Sequence, residues 1–324
     1  MRSITTAIAL TVLAIAATAA DNANPFIGNW ALTIPGGGAG WLGVVEADGK
    51  LTGSLLWGGG SVLPVQSAKV EGDTLTLTRL YKNKEEITTE TITAKIDGEN
   101  LKLTTVKSKP GQAEFGKADF TGKRIPPLPP APDLSKVKFG EPVTLFNGKD
   151  LEGWKLVNPG AVSGWSVKDG VLTNNPAQEE GKPHKNYGNL RTVAEFEDFN
   201  LKLETNVPKG GNSGVYLRGI YEVQVLDSFG KPLDSHNMGA IYSRIKPTEA
   251  AEKPAGEWQT MDITLVDRYV TVILNGKKII DNQPLLGCTG GALTSDQFKP
   301  GPIYLQGDHT GANYRNMVLR PVVK

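Results

Sequence analysis

Residues 212–227 read Asn-Ser-Gly-Val-Tyr-Leu-Arg-Gly-Ile-Tyr-Glu-Val-Gln-Val-Leu-Asp, two short alternating runs on either side of Gly219. Side chains alternate along a strand, so Val215 and Leu217 share one face while Asn212, Gly214, Tyr216 and Arg218 share the other. Val223 and Val225 alternate in the same way with Glu222 and Gln224. A two-residue hairpin at Gly219 and Ile220 sets Leu217 opposite Glu222 and mixes the faces. A three-residue connection from Gly219 to Tyr221 sets Arg218 opposite Glu222 and Tyr216 opposite Gln224. The second register gives one apolar face and one polar face carrying Tyr216, Arg218, Glu222 and Gln224, which is the candidate site. Asp227 has the wrong parity for that face unless a bulge near Val225 and Leu226 returns it.

The same period of two runs through the rest of the chain. Between 24 and 123, turn signals at Asp48-Gly49, Gly72-Asp73 and Asp97-Gly98 separate strands over 41–45, 51–57, 74–80, 86–96 and 101–106, a small antiparallel barrel or sandwich. Gly28-Asn29-Trp30 resembles the Gly-x-Trp opening of lipocalin-like barrels, where the tryptophan plugs one end. The glycine runs at 36–38 and 58–60 read as flexible connections rather than as backbone brought up to a ligand. Prolines crowd residues 125–132 and predict a semi-rigid extended spacer, the clearest boundary in the chain. Beyond it, strands are expected over 199–207, 258–266, 269–280, 303–306 and 314–322, with Asn275-Gly276 turning the strongest hairpin. No stretch there keeps a helical period, and ten or more strands in about 180 residues suit a two-sheet jelly-roll sandwich. The expected division is a leader over 1–20, a small barrel over 21–124, a spacer over 125–140 and a jelly-roll domain over 141–324.

Composition narrows the function classes. A balance of 35 basic and 34 acidic residues gives no nucleic-acid stripe, and 324 residues exceed one typical domain. Residues 1–20 combine Arg2, an apolar run and a small-residue end, the pattern of a cleaved secretory leader too short for a membrane anchor. The single cysteine, Cys288, is far from that end, so neither a lipid anchor nor an internal disulfide is expected. Cys288 reads as a buried small hydrophobe. The expectation is a soluble periplasmic or secreted all-β protein, not inserted in a membrane. Its oligomeric state and the role of the first barrel are not legible.

Ordered motifs over 141–324 carry a resemblance. Residues 145–154 (Leu-Phe-Asn-Gly-Lys-Asp-Leu-Glu-Gly-Trp), 212–218, 221–227, Gly239-Ala-Ile-Tyr242, Gly256-Glu-Trp258, Leu274-Asn-Gly-Lys277 and Gly301-Pro-Ile-Tyr-Leu-Gln306, with His309 and Arg315-Asn316, resemble the 3-keto-disaccharide hydrolase family. The resemblance implies a concanavalin A-like sandwich with a small carbohydrate or glycoside as ligand, acting on glycosides oxidised at C3, by hydrolysis or by elimination then hydration. A ketone at C3 acidifies the C2 proton, so such a site needs a base, an acid for the leaving oxygen and a partner for the enolate.

Glu222, a carboxylate among valines, is the first candidate for base or metal ligand, set against a cross-strand ion pair with Arg218. His309, beside Asp308, is the second candidate acid/base, its pKa range suiting neutral pH. Asn212, Tyr216, Arg218, Gln224, Asp227, Tyr242 and Gln306 are candidate substrate ligands. No cofactor is legible with certainty, and a divalent ion such as Ca²⁺ held by Glu222, Asp227 and His309 is left open. His236 lies in a polar loop able to cover the site, whereas His184 reads as solvated. Trp154, Trp165 and Trp258 suit core or rim packing, with Trp258 assigned to the core. The spelling Glu-x-Gln-x-x-Asp resembles the Glu-x-Asp-x-x-Glu strand of laminarinase-type glycosidases, but Gln224 cannot titrate, which disfavours ordinary retaining hydrolysis. The alternative is a non-catalytic lectin-like binding protein.

Overall fold

The computed structural model describes residues 24–83 and 86–323, and every regular element among them is a β-strand. The expected leader over 1–20 lies outside the described residues. The first sheet is an antiparallel meander from Gly28–Thr33 to Phe115–Ile125, with those two strands paired to each other. The segment after Lys50–Trp57 closes it. Leu63–Pro64 pairs with Lys50–Trp57, and the Val65 N–H donates to Gly53 O (2.9 Å). The Gln66 N–H then donates to Thr78 O (2.7 Å), and Ser67–Glu71 continues along Thr74–Asn83. One extended segment thus bridges both edges, and the sheet becomes a barrel.

Alternation sorts the barrel's side chains. Leu32, Leu42, Leu55, Leu75, Leu77, Ile92, Leu101 and Leu103 fill one core with Trp30. Trp30 is fully buried, donates from Nε1 to Phe26 O (3.0 Å), and has the Arg124 guanidinium 4.0 Å above its ring. The residues of opposite parity, Ala31, Ala39, Trp41 and Leu56, belong instead to the core of the second unit. Trp41 donates from Nε1 to Leu286 O (2.8 Å), carries the Arg244 guanidinium 4.4 Å from its ring centre, and abuts Gly287 so closely that a Cβ there would lie 2.1 Å away. Cys288 is fully buried at the same seam, its thiol pushed up to about 11 by burial.

Between the units the prolines do form an extended run, and it is docked. Proline removes backbone donors but leaves carbonyls free to accept. Those of Pro126 and Pro127 take Arg268, that of Pro129 takes the Tyr269 hydroxyl, and that of Pro132 takes Asn282.

The second unit is the expected sandwich. Its larger sheet includes Phe199–Asn206, Gln259–Val266, Tyr269–Leu274, Lys277–Pro284 and Ala312–Pro321. Asn275 and Gly276 turn its hairpin with φ of 50° and 82°, both in the left-handed region that a type I′ turn needs. The smaller sheet runs in the order Trp154–Leu156, Leu190–Thr192, Tyr304–Leu305, Asn212–Leu217 and Tyr221–Leu226. Val215, Leu217, Val223 and Val225 face the core between the sheets, as alternation requires. Trp154 and Trp165 are buried; Trp258, assigned to the core, is instead half-buried beneath the Arg315 guanidinium at 3.9 Å. Arg315 also pairs with Glu204, so its charge draws the indole to the surface.

Candidate active site

The polar face of the smaller sheet opens into a cavity of about 310 Å³. A larger hollow of about 700 Å³ on the outside of the barrel is lined by threonines and by Lys95 and Lys102. Those lysines are already matched by Asp73 and Asp97, so the smaller cavity is where polar groups await a ligand. Its walls include Asn212, Tyr216, Glu222, Gln224, Tyr242, Gln306 and His309, together with Asn189, Tyr304 and Asp308.

The hairpin register differs from the expectation by two residues. Tyr216 pairs with Glu222 and Gly214 with Gln224, because the turn centres on Arg218 and Gly219, with φ of 56° and 65°, rather than beyond them. Arg218 holds that conformation because its guanidinium donates to the carbonyls of Gln297 and Lys299. A shift of two preserves parity, so the polar face survives while Arg218 leaves it. It neither lines the cavity nor pairs with Glu222. Asp227 also stays away: the ladder runs unbroken to Asn212 and Leu226, without the bulge, and the Asp227 carboxylate accepts the Gly210 N–H (2.8 Å). The ion-binding set Glu222, Asp227 and His309 therefore does not assemble, and among the described residues no group of three or more His, Cys, Asp and Glu side chains is placed to hold a metal.

The strand Tyr221–Leu226 ends the smaller sheet, yet its outer side is covered. Gln224 N–H donates to Ala240 O, Gly239 N–H to Gln224 O, and Tyr242 N–H to Glu222 O. The Glu222 N–H is taken by the Thr289 hydroxyl (2.9 Å). With its backbone held on both sides, the Glu222 side chain has little freedom.

Glu222 is 3% exposed, and burial pushes its carboxyl up to about 8, against the lowering effects of Tyr216 and His309. The hydrogen bonds agree with a neutral acid. Tyr216 Oη lies 2.9 Å from Glu222 Oε2 and 2.8 Å from Gly290 O, and one phenolic proton cannot serve both. A neutral Glu222 donates to Tyr216, which then donates to Gly290 O, and all three groups are satisfied. Glycines make room for the pair: a Cβ at Gly214 would lie 2.2 Å from Glu222 Oε1, and one at Gly291 would lie 2.6 Å from Tyr216 Oη. Tyr304 stacks on Tyr216 at 4.2 Å between ring centres.

His309 enters from a pinned loop. Asn189 Oδ1 accepts the Gly307 N–H (2.6 Å), Asn174 Nδ2 donates to the carbonyls of Gly307 and Thr310, and the Thr310 hydroxyl accepts the Asn212 N–H (2.6 Å). His309 Nδ1 sits 2.8 Å from Asp308 Oδ1. That hydrogen bond raises the imidazole above its ordinary value, against burial. Burial would raise the Asp308 carboxyl, but His309 holds it low. With Nδ1 engaged, Nε2 is left for the cavity. Asn212 Oδ1 is buried with no hydrogen-bond partner among the described residues, an acceptor ready for a ligand hydroxyl.

Residues 141–320 match the model of a family described as 3-keto-alpha-glucoside-1,2-lyase-like domain. The chain belongs to that family. A curated relative, 3-keto-disaccharide hydrolase of Bacteroides thetaiotaomicron, is 28% identical over 166 residues, which are 43% of this chain and 57% of the relative. The match thus spans little more than half of that relative's length. Among solved structures, a candidate glycosyl hydrolase from Parabacteroides distasonis is 32% identical over 61% of this chain and 94% of its own, with a TM-score of 0.46. A second from the same organism is 24% identical over 56% and 94%, with a TM-score of 0.48. The family resemblance read from the motifs is borne out.

Within the 3-keto-alpha-glucoside-1,2-lyase-like domain lie all the cavity residues named so far. Tyr304 was accessible to sequence reasoning, since it alternates with Leu305 and shares the face of Gln306. Asn189 carried no such signal. Gly59 also lines the cavity. It lies in the barrel, outside the family match, in a glycine run read above as a mere connection; that reading does not hold for 58–60.

Proposed function

We propose that this exported protein cleaves glycosides carrying a ketone at C3, by elimination of the aglycone followed by hydration. The observation that carries this reading is Glu222, a carboxyl kept neutral to about pH 8 in the same cavity as the His309–Asp308 pair. Both environments strengthen the hold on a proton, so near neutrality the cavity offers an acid in Glu222 and, whenever His309 is unprotonated, a base beside it. In the proposed reaction His309 Nε2 removes the C2 proton, which the C3 ketone acidifies. The C2–H electrons pass to the C3 oxygen as an enolate; on its collapse the ketone re-forms, the C1=C2 bond is made, the C1–O bond breaks, and the leaving oxygen takes the Glu222 proton. Asp308 holds the resulting imidazolium, and the amides of Asn212, Gln224 and Gln306 are the donors at hand for the enolate oxygen. Water adding across C1=C2 then gives the free 3-keto sugar, so the net result is hydrolysis.

Purified protein given a 3-keto-glucoside is expected to release aglycone, and His309→Ala to slow release by about 10² to 10⁴-fold. Binding without release would replace this reading with that of a carbohydrate-binding protein. The pH dependence of kcat/KM follows from the two protons. His309 must be unprotonated, so the rate rises with pH through a value above the ordinary imidazole range; Glu222 must be protonated, so it falls again at about 8. Both limbs belong to the coupled pair, and a profile flat from about pH 6 to 9 would count against the assignment. Gly214→Ala is a further check, because a Cβ 2.2 Å from Oε1 must displace the carboxyl. Turnover is expected to drop about 10²-fold while circular dichroism stays unchanged; undiminished turnover would argue that Glu222 does not touch the reacting atoms.

A further inference from the structure

The barrel reaches into the cavity at one place. Gly59 is part of its wall, and the contacts behind it are close: a Cβ on Gly290 would lie 2.3 Å from Gly60 O and 2.9 Å from Gly59 O. The Gly291 N–H donates to Gly58 O (3.2 Å), and the Val62 N–H donates to Ser243 Oγ (2.9 Å). Ser61 Oγ lies 3.0 Å from His236 Nε2 and 3.4 Å from the hydroxyl of Tyr242, itself a cavity residue. His236 is held in turn through Nδ1 by Asp234 and packs edge-on against Tyr242 at 4.9 Å. Ser61, His236 and Asp234 have the order of a catalytic triad. The N–H beside the serine, which an oxyanion would need, is however already given to Ser243. The chain of bonds is a latch that fixes the glycine run against the sandwich.

Its position relative to the proton donors tells which part of a substrate it meets. Glu222 is linked through Tyr216 to Gly290, and Gly290 is the residue on which Gly59 and Gly60 rest. The wall therefore stands on the side of Glu222 that Tyr216 and Gly290 share. With Glu222 protonating the leaving oxygen, the group beyond that oxygen would be the part of a substrate nearest this wall. Resting on the reaction proposed above, we propose that residues 58–61 form the leaving-group subsite, and that Gly59 sets how bulky an aglycone the cavity admits. Selectivity for the aglycone then comes from the barrel, while the bond-breaking groups come from the family domain that begins at residue 141.

Gly59 is suited to a direct test. It lies exposed at the rim of the cavity, its backbone is not in the left-handed region, and a Cβ there meets nothing within 4 Å, so a side chain can be added at the rim without straining the loop. The full chain would be compared with Gly59→Ala, Gly59→Val and Gly59→Leu on methyl 3-keto-glucoside and on a 3-keto-disaccharide, with melting temperatures measured in parallel. The ratio of kcat/KM for the disaccharide to that for the methyl glycoside is expected to fall stepwise with side-chain size. For leucine the fall should be about tenfold or more and be carried by KM. A ratio that stays within about twofold of the parent for all three variants overturns the subsite, even if both rates decline together. If the parent binds these sugars by calorimetry but releases no aglycone, the proposed reaction fails alone, and the same ratio read in binding constants decides the subsite. A parent that neither binds nor cleaves them sinks both.

Discussion

Glu222→Gln is expected to abolish turnover and, at the same time, to make the protein more stable. Glutamine keeps the shape of the neutral acid and can donate to Tyr216 as the protonated carboxyl does, but it cannot deliver a proton, so a loss of about 10² to 10⁴-fold follows. The gain in stability comes from linkage. In the unfolded chain the carboxyl ionises above its ordinary value of 4.5, whereas in the fold burial holds it neutral to about 8. The folded state thus loses ground as pH rises from 4.5 towards 8. At ~1.36 kcal/mol per pH unit the loss reaches on the order of 3 kcal/mol near neutrality. The glutamine variant escapes it. Its melting temperature should match the parent's below pH 4.5, exceed it increasingly between 4.5 and 8, and keep a constant lead above that. Equal melting temperatures at pH 8 would show that Glu222 is ionised at no special cost, and the acid role would go with it.

Trp41→Ala is expected to be the most damaging change outside the cavity. Removing a buried tryptophan costs about 3 to 5 kcal/mol from lost contact and residual cavity. Here there is an added penalty. Arg244 is buried enough to bring its guanidinium down to about 10, it donates from Nε to Cys288 O (2.7 Å), and its Nη2 has no hydrogen-bond partner among the described residues. The Trp41 ring face is thus a large part of what compensates that cation. Denaturant unfolding should show Trp41→Ala destabilised by more than about 4 kcal/mol, while Trp41→Phe, which keeps a ring but loses the bond to Leu286 O, falls between. A loss under about 1 kcal/mol would mean that the seam between barrel and sandwich contributes little to stability.

The period of two was enough to find one wall of the cavity. It put Asn212, Tyr216, Glu222 and Gln224 on one face, because strand parity depends on nothing outside the strand. Register is a different matter. It was misjudged by two because the turn is set by Arg218 in a left-handed conformation, which the carbonyls of Gln297 and Lys299 secure from some 80 residues away. Asp227 hung on a bulge, and no local spelling distinguishes a bulge from a regular ladder. Asn189 acts through the Gly307 N–H, and Gly59 through packing against Gly290. Both roles depend on tertiary contact between distant segments, so a linear reading could not weigh them. Trp258 failed as a core residue for a similar reason, its cation partner Arg315 being more than 50 positions later. The hairpins of the first unit were legible because their turns are local, whereas its closure into a barrel rather than a sandwich rests on the distant pairing of Gly28–Thr33 with Phe115–Ile125 and on the bridging segment 63–71, which carry no local signal.

The segment 239–242, introduced above as the cover on the Glu222 strand, has a second consequence. A final strand with a free row of N–H and C=O groups is a template for another chain, and Tyr221–Leu226 has valines at alternate positions, the composition that aggregates most readily. By occupying the donor and acceptor of Gln224 and the acceptor of Glu222, this short crossing segment denies that template to neighbouring molecules. The strand that carries Glu222 and Gln224 is thereby closed along its outer edge to pairing with a second molecule.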